Sequence, residues 1–391
     1  MNLKLILTGI MIAIANFTSV AVVTSIMGLN IPVAFVVAGI STLITHSLTK
    51  HALPTFIGIS GLFIGGVLTI KNTQGIEYAL GGVIMAGIVY IILSVVFYLF
   101  RDKVQKYLPD YIIGMSLMLI GLSLLPIGSG LISQSMSTGL IAVLIMLLIE
   151  FKFSGITKIL SMPIALIIAT IFHGIAYGLK PTITSELTFS LQSVSFSIEA
   201  FLTISIIALA TLFEVISDMR YSAEISGVDL FKDVGVHRTL LSVGIGSIIA
   251  GLFGAGVVTS YGENNSSNKI LNNKDSMAQK IASIIFIILG LLAFPLTIIS
   301  YIPQSAFGGV LLVLFSSISI SGMKIVFNSD LNLNKHHSRF LVLAIMLGIS
   351  TLTFIFNGVS ISAVSIAIVV GIILNAILDN NNGIFIGERG E

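Results

Sequence analysis

Residues 254–269 read GAGVVTSYGENNSSNK, and no continuous membrane helix accommodates them. Val257, Val258 and Thr259 are β-branched and favour extended backbone, Gly262 ends that run, and Asn264 to Lys269 contain no apolar residue. Apolar stretches long enough to cross a bilayer lie on either side. A second interrupted stretch lies in the N-terminal half, residues 53–66, LPTFIGISGLFIGG, where Pro54 and four glycines break an otherwise apolar segment. Each pairs a short extended run with the start of a half-helix. Unwound backbone is tolerated at membrane depth only where protein or an aqueous cavity surrounds it, and a half-helix start presents unpaired N–H groups. The two stretches are therefore the candidate binding site.

Composition sets the frame around them. The chain has 391 residues, 55% hydrophobic and 9% charged, with a mean hydropathy of +1.08. Average soluble domains carry about 25% charged residues, so this chain cannot cover a water-exposed surface and is an all-α polytopic membrane protein. With roughly 20 apolar residues per crossing, the pattern gives about fourteen spans, the broken stretches forming spans 3 and 10 with short β-like breaks. The last two are expected at residues 339–357 and 360–378. Residues 4–24 are read as the first span rather than a leader, since they carry Lys4 and run straight into further spans. With the N-terminus placed inside, all of the 19 Lys and Arg except Lys71 and Lys180 fall on the cytoplasmic side. Both termini are then cytoplasmic.

The polar residues 181–197 read as an external linker between residues 1–180 and 198–391. Seven spans in each half, an odd number, would insert upside down relative to each other, which is the inverted-repeat plan of secondary transporters. Cysteine is absent, which removes disulfides and thiolate sites. No HExxH, P-loop, GxGxxG or Ser/His/Asp spacing falls on suitable elements, so neither enzyme chemistry, a cofactor nor a metal is expected.

Carboxylates at membrane depth are costly unless paired, solvated or protonated. Glu214 and Asp218 lie four residues apart on one helix face, and Glu263 opens the half-helix after Gly262. Glu214 is read as an acceptor for a ligand N–H. Asp218 is left between an ion pair with Arg220 and proton handling. Glu263 is read as a ligand contact that also suits a helix start. Lys269 is close enough in sequence to neutralise a site carboxylate. His46 and His173 read as satisfied helix-end histidines, Asn16 as a bond to a neighbouring helix, and His336 and His337 as loop residues.

The segment VGVHRTLLSVGIGSIIAGLFGAGVVTSYGEN, residues 234–264, together with IPQSAFGGVLLVLFSSISISGMK, residues 302–324, and LPTFIGIS upstream, resembles the nucleobase/ascorbate transporter family. The resemblance implies a seven-plus-seven inverted repeat with interleaved core and gate domains, a homodimer, and symport of a uracil- or xanthine-like base coupled to protons or sodium. It further implies that Glu214 and Glu263 hold the base while Gly262 and Gly61 offer backbone N–H groups, with Ser60 and Asn264 beside them; proton handling by Glu214 and Asp218 is expected instead from two neighbouring carboxylates at membrane depth, which favour sharing a proton. The chain departs from the family in the polar run Asn265 to Lys269 and in carrying Asp218 one turn after Glu214. Two other readings stay open: an anion carrier of the same fold, which two ionised carboxylates would oppose, and a non-transporting membrane sensor.

Overall fold

A computed structural model describes residues 3–100, 109–181, 189–329, 337–352, 354–356, 359–361 and 363–381. It is mostly helical. In chain order the elements are α1 (Leu3–Met27), α2 (Ile31–Leu48), β1 (Ile57–Ile59), α3 (Ile64–Thr73), α4 (Ile76–Leu99), α5 (Asp110–Ile132), α6 (Met136–Lys152) and α7 (Ser161–Tyr177). There follow α8 (Ile206–Ser226), α9 (Val236–Phe253), β2 (Val258–Ser260), α10 (Gly262–Ile270), α11 (Met277–Leu291), α12 (Gln304–Asn328), α13 (His337–Ser350), β3 (Phe354–Phe356), β4 (Val359–Ile361) and α14 (Ala363–Asn381). Seven of the described helices are long and apolar enough to cross a membrane. At 1.5 Å per residue, the 25 residues of α1 span about 37 Å, more than the ~30 Å hydrocarbon core.

Helix ends follow local chemistry. Asn30 caps α2 by accepting from the Val33 N–H at 3.1 Å. The last carbonyls around the end of α1, those of Met27 and Gly28, each accept from Lys71 Nζ at 3.0 Å, which places a cation at a helix C-terminus. A π-helical turn (Phe201–Ser205) leads into α8.

Strands β1 and β2 pair antiparallel, Gly58 opposite Thr259. A two-stranded sheet inside a bundle leaves edge groups that water cannot reach, so side chains must satisfy them. Thr42 Oγ1 of α2 accepts from the Ile57 N–H at 3.0 Å and donates to the Ile57 carbonyl at 3.2 Å. On the other edge the Val258 N–H donates to Ser247 Oγ at 3.2 Å.

The helices pack in two groups, one of α1–α4 with α8–α11 and one of α5–α7 with α12–α14. Close glycine crossings hold both. A Cβ on Gly322 of α12 would lie 2.5 Å from the Gly114 carbonyl of α5, and a Cβ on Gly244 of α9 would lie 2.8 Å from the Gly87 carbonyl of α4. Contacts between the groups are sparser and run mainly through α8 against α5 and α14.

The described end of the linker crosses the first group as a strap. The Gln192 N–H donates to the Leu252 carbonyl at 2.9 Å and the Ser195 N–H to the Glu77 carbonyl at 3.2 Å. Ser197 Oγ donates to Gln74 Oε1 at 2.6 Å, and Gln74 Nε2 in turn donates to Glu199.

The structure corrects the C-terminal reading. The expected spans at 339–357 and 360–378 are interrupted by a hairpin of β3 and β4, with Phe356 opposite Val359. The sequence held the signal: β-branched and aromatic residues on both sides of Asn357-Gly358, a dipeptide suited to a two-residue hairpin turn. His336, Arg101, Lys103, Lys106, Lys335 and Arg389 lie outside the described residues.

Candidate functional site

Between the two helix groups lies a cavity of about 1450 Å³. One wall comes from α1, α8 and the β1–β2 crossing, the other from α5, α6, α7 and α12. Its mouth lies at the end where Lys158, Arg220, Glu224 and Lys324 line it.

The sequence dictates why the crossing is built as it is. Both strands end where a helix begins, β1 running through Ser60 into the turn Gly61–Phe63 and α3, and β2 through Tyr261 into α10. First-turn amides of a helix have no partner within it. Among the described residues neither the Gly61 N–H nor the Gly262 N–H finds an acceptor. Both glycines line the cavity, as do Ser60 and Glu263. Tyr261 locks the crossing by donating its hydroxyl to the Ile59 carbonyl at 2.7 Å, its ring lying where a Cβ on Gly58 would come within 2.4 Å.

Helix α8 brings Glu214 and Asp218 into the same cavity. Asp218 Oδ2 accepts from Ser260 Oγ at 3.1 Å, and Oδ1 would lie 3.1 Å from a Cβ on Gly262, so glycine there lets the carboxylate approach the start of α10. Glu214 Oε2 is buried with no hydrogen-bond partner. A buried acceptor without a donor is costly, and a carboxylate oxygen more so. That orphaned oxygen is chemically complementary to an N–H donor presented by a ligand. One turn earlier Thr211 Oγ1 meets the buried Tyr90 hydroxyl at 2.5 Å, which ties α8 to α4 behind the site.

The structure thus brings Glu214, Asp218, Glu263, Gly262, Gly61 and Ser60 around one cavity. Asn264 is not among its lining residues. Its side chain is fully buried and donates to the Pro54 carbonyl at 3.0 Å. The polar run after it is largely structural. Asn268 donates to the same Pro54 carbonyl at 2.6 Å and accepts from Asn273 at 2.8 Å and Gln279 at 2.7 Å. Asn265 donates to the Asp218 carbonyl at 2.9 Å. Helical spacing puts Asn264 and Asn268 on one face, turned to the chain leading into β1, and Ser266 and Ser267 toward the cavity.

Two charge pairings left open by the sequence go elsewhere. Arg220 pairs with Asp110 at 3.0 Å, not with Asp218. Lys269 lies 5.8 Å from the centroid of the Tyr221 ring and does not line the cavity. His173 Nδ1 bonds Thr138 Oγ1 at 2.9 Å, consistent with a satisfied helix-end histidine. His46 differs: it is fully buried and neither ring nitrogen has a partner. Asn16 donates to the Ile12 carbonyl of its own helix at 2.9 Å, not to a neighbour. Ser260, Val23 and Phe315 also line the cavity and had escaped sequence reasoning. Nothing local marks them, because apolar or small residues in apolar spans look like packing.

Comparison with known proteins bears on this site. The uracil permease of Bacillus subtilis (strain 168) is 25% identical over 398 residues, covering 93% of this chain and 90% of its own. The uracil permease of Escherichia coli (strain K12) is 26% identical over 381 residues, covering 93% and 88%. The fold is shared with the transmembrane domain of a cyanobacterium bicarbonate transporter, BicA, at a TM-score of 0.67 and 14% identity, covering 96% of this chain and 97% of that one. It is also shared with a murine Solute Carrier 26 family anion transporter solved in the inward-facing state, at a TM-score of 0.73 and 11% identity, covering 97% and 68%. Residues 3–357 match a single family throughout, and the chain is a multi-pass membrane protein of the Permease family (Xan_ur_permease).

Proposed function

We propose that the chain is a secondary transporter that carries a uracil- or xanthine-like base across the bacterial inner membrane by alternating access, in symport with protons. The observation that carries this reading is the meeting of Glu214 and Glu263 with the unpaired N–H groups of Gly61 and Gly262 around one cavity. A planar lactam ring alternates N–H donors with C=O acceptors along its edge. Carboxylates take the former and helix-start amides the latter. The names of the uracil permease relatives support the same substrate class.

In this reading the chain has about fourteen spans in a seven-plus-seven inverted repeat, broken in spans 3 and 10 by the short extended runs. The group of α1–α4 and α8–α11 is the core that carries the site, and the group of α5–α7 and α12–α14 is the gate. Both termini and the cavity mouth with Lys158, Arg220 and Lys324 face the cytoplasm, in line with the positive-inside rule. The working unit is a homodimer. Proton coupling falls to Glu214 and Asp218, since neighbouring carboxylates in a site of low water content repel each other and one proton relieves the repulsion.

The helix-start amides would also suit a small anion. Glu214, Asp218 and Glu263, which line the same cavity, oppose it electrostatically. A calorimetric screen of purified protein against uracil, xanthine, bicarbonate and sulfate, repeated on Glu263→Gln, separates the readings. Binding of a base that weakens about 10- to 100-fold in the variant is expected, the worth of a charge-assisted hydrogen bond of roughly 1.5–3 kcal/mol. Binding of an anion alone would overturn the proposal. In proteoliposomes, uptake indifferent to an imposed pH gradient would remove proton coupling while leaving the substrate class standing.

A further inference from the structure

The cavity shares its two walls with a second gap. A crevice of about 200 Å³ is lined by Ile26 of α1, Leu68 of α3, Pro126 and Ile127 of α5, and Phe307 of α12. Chain direction puts it at the end away from the mouth. Asp110 at the start of α5 and Asn328 at the end of α12 line the cavity, whereas the crevice takes residues towards the opposite ends of both helices. What separates the two is thin. On α12 the lining passes from Leu312 in the cavity to Phe307 in the crevice, a rise of about 7.5 Å at 1.5 Å per residue.

Between Leu62 of the cavity and Leu68 of the crevice stands Gly65, and a Cβ there would meet Ile127 Cδ1 of the other helix group at 3.9 Å. A glycine against an isoleucine methyl makes no directional bond, unlike the Arg220–Asp110 pair at the mouth, so this contact can part and reform. Pro126 marks where α5 can give. It stands inside the helix, where its ring denies the Leu122 carbonyl an amide partner, and Ile127 follows it directly.

We infer that the crevice is the shut outer end of the translocation path, and that Ile127, carried by the part of α5 beyond Pro126, seats against Gly65 as its bolt. The inference rests on the transporter reading above, not on which ligand is carried. Ligand arriving from the crevice side reaches Glu214 and Glu263 only when this contact opens.

The chain has no cysteine, so introduced thiols report alone. In intact cells, Leu68→Cys on the crevice side and Ser316→Cys on the cavity side are labelled from outside with a membrane-impermeant maleimide. Each is compared with and without Gly65→Cys/Ile127→Cys bridged by a short bifunctional methanethiosulfonate. Leu68→Cys is expected to label equally well in both states. Ser316→Cys is expected to label at least about 10-fold more slowly once bridged, with uptake of uracil and xanthine falling alongside and both returning on reduction. Ile127→Ala, which removes the bolt without a bridge, is expected to speed the labelling of Ser316→Cys about threefold or more, and decides the matter should the double variant fail to fold. Labelling of Ser316→Cys that is absent or that ignores both the bridge and Ile127→Ala, a bridged protein that still takes up base, or a Leu68→Cys that outside reagent does not reach would overturn the inference. A wild type that takes up neither base removes the transporter reading, and the labelling by itself then decides whether the contact opens.

Discussion

Gly58 and Tyr261 show how one missing side chain fixes the site's architecture. The Tyr261 ring occupies the space beside Gly58, and its hydroxyl holds the Ile59 carbonyl. Gly58→Ala would place a methyl 2.4 Å from that ring. The expected cost is about 1–3 kcal/mol of overpacking, read as a lowered melting temperature in detergent; an unchanged melting curve would mean that the crossing yields without strain. At this scale the sequence was most informative about carboxylates, because Glu214 stands in an apolar span and Glu263 at a break between apolar stretches, places where an acidic residue needs a reason. It was least informative about Asn264, whose inward turn is dictated by a carbonyl 210 residues away in the chain. Val23 and Phe315 were hidden for the same reason: what makes them wall residues is the approach of α1 and α12 to Gly61, and no local pattern encodes that.

Among the elements, α10 departs furthest from a membrane helix in composition, and its polarity now has a physical account. Asn264 and Asn268 converge on the Pro54 carbonyl, and Asn268 also receives Asn273 and Gln279. Pro54 has no amide to offer in return, so its carbonyl is the whole of that junction's backbone polarity. Asn268→Leu strands two side-chain donors and halves the bonding of the carbonyl. It is expected to destabilise the fold by about 2–4 kcal/mol, more than Asn264→Ala, which removes one bond of about 1 kcal/mol. Thermal denaturation of the two variants side by side checks the order, and the reverse order would refute the network's centre at Asn268. The β3–β4 hairpin was legible in retrospect from the residue types flanking it, yet the hydropathy window across it is apolar enough to pass for the end of one span and the start of the next.

Across the whole molecule the two helix groups meet at the cavity and share little else. Arg220 and Asp110 form the one ion pair among the described residues, joining α8 to α5 at the mouth, with side chains 61% and 52% exposed. Such a pair contributes little to stability, below about 1 kcal/mol, so Arg220→Ala is expected to leave the melting temperature within error; a large loss would mean that the pair holds the groups together. The membrane-spanning helical character was plain from composition, whereas the pairing of α5 with α12 and of α4 with α9 rests on glycine crossings between segments far apart in sequence. That interleaving has a consequence during biosynthesis. Neither residues 1–180 nor residues 198–391 contain a complete group, so the nascent first half must wait in the bilayer with the grooves at Gly87 and Gly114 unfilled until α9 and α12 leave the ribosome. Expressed apart, each fragment is expected to be degraded; expressed together as separate polypeptides, they should find each other and co-purify, as the two parts of one split protein.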